Sequence, residues 1–159
     1  MTIKWESAEV NGKSMRVYTG VPKRPGPLPR ILVAMHGPGV DAQMQDVVHR
    51  LYRQGYVVAA PDLYYRRPDA DPKTRGPGLR DEEVIEDFNV TVSLIHKLAP
   101  DAKGPLGIVG FCLGGRLSYL AATEMSELKA AVVFYGAGIM QVRGNGPSPF
   151  DRSSKISCP

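Results

Sequence analysis

Hydrophobic and polar positions change their spacing along the chain. Over residues 3–10 and 13–19 they alternate loosely, and the two stretches meet at Asn11-Gly12. Asn-Gly is a strong hairpin signal, because both residues tolerate the positive φ of a two-residue turn. The pattern predicts an antiparallel pair within residues 1–20. VPKRPGPLPR (21–30) follows as a proline-rich connector without periodicity.

The spacing then switches to buried runs separated by helical stripes. Ile31–Met35 is continuously apolar, as in a strand covered on both faces. Asp41 is placed to cap a helix with apolar residues Met44, Val47, Val48 and Leu51, which Gly55 ends. Tyr56–Ala60 reads as the next buried strand and 64–80 as a charged loop. A helix begins near Asp81, with Glu82 and Glu83 suiting the positive end of its dipole. Its stripe is Val84, Ile85, Phe88, Val92 and Ile95, and Pro100 stops it. Leu106–Val109 reads as a strand, Leu113–Glu124 as a helix, Ala130–Tyr135 as a strand, and 136–159 as a loop tail.

Strands alternating with helices over 31–135 imply βαβ units and a mainly parallel sheet, with a mixed edge from the leading pair. The fold class expected is α/β, with helices on both faces. All 159 residues read as one domain. Such domains commonly run to roughly 200–250 residues. The chain stops at Ser157-Cys158-Pro159, where another strand is expected, so it reads as the N-terminal portion of a domain truncated before its last strands.

Composition narrows the function classes. Hydrophobic residues make up 43% and charged residues 23%, an ordinary globular balance. A net charge of +4 without a basic face interleaved with aromatics does not indicate nucleic-acid binding. No apolar run approaches the roughly 18 residues that cross a bilayer. MTIKWESAEV has no apolar signal core, so a cytoplasmic location without a membrane partner is expected. In that setting Cys112 and Cys158 read as free thiols. Three scattered histidines and two distant cysteines give no zinc-type spacing, so no metal is expected.

The informative segment is Gly107-Ile-Val-Gly110-Phe-Cys112-Leu-Gly114-Gly115. A buried strand runs into Cys112 and a helix begins at once, with glycines two residues to either side. That is the nucleophile-elbow pattern with Cys in place of Ser. The turn is so tight that only small residues fit at those flanking positions. The helix N-terminus stabilises developing negative charge, and the Leu113 amide would face an oxyanion. The alternative is a small buried hydrophobe in a Gly-rich packing turn.

At these residues the chain resembles the dienelactone hydrolase (carboxymethylenebutenolidase) family. Gly110-Phe-Cys-Leu-Gly-Gly115 matches its elbow nearly letter for letter. Gly55-Tyr-Val-Val-Ala-Ala-Pro-Asp-Leu-Tyr64 and Ala131-Val-Val-Phe-Tyr-Gly136 match the segments before and after it. The resemblance implies an α/β-hydrolase fold and attack by Cys112 on a small ester or lactone, through an acyl-enzyme and without a cofactor. It also implies a triad Asp and His downstream of the matched segment, beyond Pro159. The family often has a glutamate after the strand corresponding to Ile31–Met35; this chain has His36-Gly37, which resembles the His-Gly of general esterases.

Further candidates follow from position. Gly37 offers a second oxyanion amide. His36 lies at the carboxyl end of a core strand and either orders its loop or touches substrate; as a base it would sit beside the oxyanion donors. Tyr64 and Tyr135, at strand ends, would either bind substrate or pack around the elbow. Excess Arg in 65–80 (Arg66, Arg67, Lys73, Arg75, Arg80) would suit a substrate carboxylate or form a solvated loop. His49 and His96 read as surface residues, and Cys158 has no catalytic context. A nucleotide-binding domain is disfavoured, because Gly107-x-x-Gly110-x-x-x-Gly114 lacks the G-x-G-x-x-G spacing. The remaining rival is a catalytically incomplete relative that serves as a binding or scaffold module.

Overall fold

A computed structural model describes residues 2–71 and 73–159. Met1, at the start of the expected hairpin, and Pro72, in the charged loop, lie outside the described residues. Thr2–Val10 (β1) and Lys13–Val21 (β2) pair antiparallel in register from Thr2 opposite Val21 to Val10 opposite Lys13. Asn11 and Gly12 turn the chain with φ of 50° and 75°, the two positive values that a type I′ turn requires.

Arg30–Ala34 (β3), Val57–Pro61 (β4), Leu106–Phe111 (β5) and Leu128–Phe134 (β6) run parallel. The sheet order is β1-β2-β4-β3-β5-β6, with β2 antiparallel to β4. Helix α1 (Ala42–Arg53) covers one face, where Met44, Val48 and Tyr52 meet Val33, Val58 and Ala60. Helices α2 (Asp81–Leu98) and α3 (Leu113–Glu124) cover the other, where Phe88, Ile95, Leu117 and Leu120 pack on Leu32 and Ile108. This is the three-layer arrangement expected of βαβ units.

Four local expectations need correction. Loop 64–80 opens with a 3-10 turn, Leu63–Arg66, whose start is capped by Asp62 accepting from the Tyr64 amide at 3.2 Å. The tail contains a second 3-10 turn, Phe150–Lys155. That turn has no apolar periodicity to reveal it; it is held from outside, with Tyr119 Oη bonded to Ser153 Oγ at 2.6 Å. Strand β5 runs two residues past Val109, because its ladder with β6 continues to Phe111 opposite Phe134. Val47 and Leu51 of the α1 stripe are only half-buried. They line an open apolar groove of about 670 Å³ over β5 and β6.

Strand β6 is an outer strand with Val132 45% and Phe134 43% exposed. Beside it the Ala131 amide donates to the Pro159 carbonyl at 2.9 Å, so the chain's last residues lie along this edge. Among the described residues no helix is long and apolar enough to cross a membrane.

Candidate active site

Cys112 sits between the last residue of β5 and the first of α3, with φ 53° and ψ −115°. A non-glycine residue at positive φ is strained, and strain of this kind persists only where the surroundings over-determine it. Three hydrogen bonds do so. The Cys112 amide donates to the Phe134 carbonyl at 3.0 Å, and the Cys112 carbonyl accepts from Arg116 N at 3.2 Å and Ala137 N at 3.3 Å. The thiol is exposed and forms no disulfide.

The flanking glycines are required by space. A Cβ on Gly110 would meet the Gly114 carbonyl at 2.1 Å, one on Gly114 the Ala34 carbonyl at 2.2 Å, and one on Gly115 the Phe134 carbonyl at 2.5 Å. The crowding inferred from the G-x-C-x-G spacing is thus a contact of α3 with the carboxyl ends of β3, β5 and β6. It holds the first turn of α3 against the sheet edge, directly after Cys112.

Cys112, Leu113 and Gly37 line one cavity of about 480 Å³, together with Pro38, Lys73, Arg75 and Arg143. Among the described residues the cavity wall carries Lys73, Arg75 and Arg143 and no acidic side chain. Cys112 is not among the residues lining the larger groove beside α1. Burial pushes the Arg143 guanidinium below its ordinary value, with the nearby Arg116 charge adding to the shift. Arg143 donates to the Gly76 carbonyl at 3.1 Å.

The other sequence candidates fall elsewhere. His36 Nε2 lies 2.9 Å from Asp41 Oδ1, and His36 is not among the described residues lining the cavity. Tyr64 donates to the Gly37 carbonyl at 2.7 Å, beneath the cavity wall. Tyr135 is 70% exposed with φ 40° and stands outside the cavity. Of the charged loop, Lys73 and Arg75 reach the cavity. Arg66 instead binds Glu86 and the buried Asp87, Arg67 binds Glu83, and Arg80 binds Glu82. The acidic first turns of α2 draw those arginines away. His49 bonds Tyr18 Oη at 2.9 Å, and His96 contacts Arg30. Cys158 is half-buried and packs on the α2–α3 side of the core. Among the described residues no group of three or more His, Cys, Asp or Glu side chains could hold a metal ion.

Two residues escaped the sequence reading. Arg143 lies in a stretch without periodicity. Arg116, one turn after Cys112 on α3, is fully buried and bonds Asp81 and the carbonyls of Gly138 and Gln141. It thereby ties the loop bearing Ala137 and Arg143 to α3.

Residues 15–159 match the model of the dienelactone hydrolase family. The chain belongs to this family. It is 35% identical over 158 residues to the Escherichia coli (strain K12) protein named "Putative carboxymethylenebutenolidase", covering 93% of this chain and 58% of the relative. It is 28% identical over 169 residues to a Bradyrhizobium sp "Probable 2-oxo-3-(5-oxofuran-2-ylidene)propanoate lactonase", covering 67% of that protein. The crystal structure of a "Putative Dienelactone Hydrolase" from Klebsiella pneumoniae superposes with a TM-score of 0.81 at 31% identity, over 100% of this chain and 71% of the other. This chain therefore has an α/β-hydrolase fold, and it spans 58% of the length of the E. coli relative.

Proposed function

We propose that this chain carries the nucleophile and oxyanion hole of a hydrolase for small esters or lactones. The observation that carries the reading is the placement of Cys112 at positive φ, in one cavity with Gly37 and Leu113. The Cys112 thiolate adds to the carbonyl carbon. The amides of Gly37 and Leu113 stabilise the resulting oxyanion. The bond to the leaving oxygen breaks, that oxygen takes a proton, and a thioester remains on Cys112. Water then cleaves the thioester, releasing the acid and restoring the thiol. In a lactone the leaving oxygen stays on the same molecule.

Lys73, Arg75 and Arg143 favour a substrate that bears a carboxylate, which agrees with the lactonase named among the relatives. Among the described residues no histidine lines the cavity. The base and its carboxylate partner are assigned to the part of the protein outside this chain. The same observation favours the second reading, a catalytically incomplete member that binds without turnover.

The test is single-turnover release of p-nitrophenolate from p-nitrophenyl acetate, with mass spectrometry of the protein. One equivalent of acetyl on Cys112, absent in Cys112→Ala, is expected. Equal release by Cys112→Ala removes the cysteine from the mechanism. No acylation of the thiolate at a pH above about 9, where a cysteine ionises without a base, favours the binding module.

A further inference from the structure

The proposed oxyanion donor Gly37 sits in a segment, His36-Gly37-Pro38-Gly39, with little to hold it by packing. A Cβ at Gly37 would find no atom within 4 Å. A glycine in open space has a wide choice of backbone angles. An oxyanion donor must nonetheless be in place before charge develops, or its reorganisation is added to the barrier. Something other than side-chain packing has to fix this peptide.

The structure shows three consecutive carbonyls of the segment held one by one. The His36 carbonyl, which shares its peptide plane with the Gly37 amide, accepts from Gly39 N at 2.9 Å. The Gly37 carbonyl accepts from Tyr64 Oη at 2.7 Å. The Pro38 carbonyl accepts from Arg75 Nη2 at 3.0 Å. The last two donors also hold each other, because the Arg75 guanidinium lies over the Tyr64 ring at 4.3 Å from its centroid. The ring is close to Gly39 as well, where a Cβ would lie 3.6 Å from it. Tyr64 is buried, which pushes its phenol above the ordinary value against the opposing pull of Arg75. The hydroxyl therefore keeps its proton and its role as donor.

We propose that Tyr64 and Arg75 are positioning residues for the oxyanion hole, pinning the Gly37 amide through the two carbonyls that follow it. Neither touches the reacting atoms in this role. The inference rests on the reading of Cys112 as nucleophile, and a pair of rates separates the two. Alkylation of Cys112 by iodoacetamide is a displacement at carbon that develops no carbonyl oxyanion. Acylation by p-nitrophenyl acetate does develop one. This ester carries no carboxylate, so a change at Arg75 cannot act through substrate charge.

The variants are Tyr64→Phe, which keeps the ring and its stacking, and Arg75→Gln, at a half-buried loop position whose loss does not threaten the core. In both, acylation should fall on the order of 10-fold, below the roughly 10²–10³ that follows complete loss of an oxyanion donor. In Tyr64→Phe, which removes no charge from the cavity wall, alkylation should stay within about 2-fold of wild type, since the elbow itself is untouched. Unchanged acylation in both variants overturns the proposal. A parallel fall of both rates in Tyr64→Phe also overturns it, because the residue would then support the elbow as a whole. If Cys112→Ala is acylated as fast as wild type, it is the nucleophile reading that fails.

Discussion

Arg116 and Asp81 form a bidentate ion pair at 2.6 and 3.1 Å, with each side chain 1% exposed. The pair joins the first turn of α3 to the first residue of α2. Two further bonds from Arg116, to the carbonyls of Gly138 and Gln141 at 3.0 Å each, extend the joint to the loop that forms one cavity wall. A buried charge left without its partner is far more costly than a pair replaced whole. Arg116→Met and Asp81→Asn should each lower stability by about 3–5 kcal/mol. The double variant should cost clearly less than the sum. Urea denaturation of all four proteins checks this, and additive single effects would show that the pair is not coupled.

The elbow glycines and Gly37 should respond oppositely to alanine. Gly110→Ala and Gly114→Ala place a Cβ within 2.1 and 2.2 Å of backbone oxygens, which cannot move without shifting α3 or β3. Both should lose a cooperative thermal transition or unfold at much lower temperature. Gly37→Ala enters open space and should change stability by no more than about 0.5 kcal/mol. A destabilised Gly37→Ala alongside a stable Gly110→Ala would contradict the packing described.

Asp41 serves α1 and His36 together. Its carboxylate accepts from the Gln43 and Met44 amides at 3.1 Å each and lies 2.9 Å from His36 Nε2. Burial raises the carboxyl, but the Met44 amide and His36 outweigh it and hold the group below its ordinary value. Asp41→Ala should cost about 1 kcal/mol, the usual size for a lost N-cap. Asp41→Asn should recover most of that loss, because the amide oxygen still caps. Equal losses in the two variants would shift the weight to the His36 contact.

Asp87 gives a pH signature of definite sign. Burial pushes its carboxyl above the unfolded value of 3.8, against the pull of Arg66 and Tyr65, both bonded to it at 2.6 Å. The folded state then binds the proton more tightly than the unfolded one. The contribution of the group to stability is full below the unfolded value and is lost as pH rises through the raised one. Asp87→Asn does not titrate there. The stability of wild type minus that of Asp87→Asn should therefore shrink as pH rises from below 3.8 through the raised value. Chemical denaturation at several pH values measures the difference, and growth with rising pH would reverse the assignment.

The sequence by itself determined the architecture and marked the strand-to-helix elbow at Cys112. Period-two spacing around Asn11-Gly12 specified the hairpin, and buried runs alternating with helical stripes specified a parallel core with helices on both faces. These signals are legible because they are local: each arises from a few consecutive residues that must face a common core. The elbow was legible for the same reason, since strand, Cys112, paired glycines and helix occupy nine consecutive positions. Gly37 and Leu113 followed from it as neighbours of strand ends.

Only the tertiary structure decided what surrounds the sulfur. Nothing local distinguishes Arg75, which reaches the cavity, from Arg66 and Arg67, which turn to α2. The choice depends on where Glu83, Glu86 and Asp87 come to lie, and those are up to 21 residues away in the chain. Arg143 and the Arg116–Asp81 pair depend on contacts across even longer separations, 35 residues for the pair. Tyr64 was legible as a strand-end aromatic, but its bond to Gly37 crosses 27 residues and requires the turn at His36–Gly39 to bring that carbonyl to the phenol hydroxyl. Periodicity records which side of an element is buried; it carries no record of which partner a polar tip meets once the elements have packed.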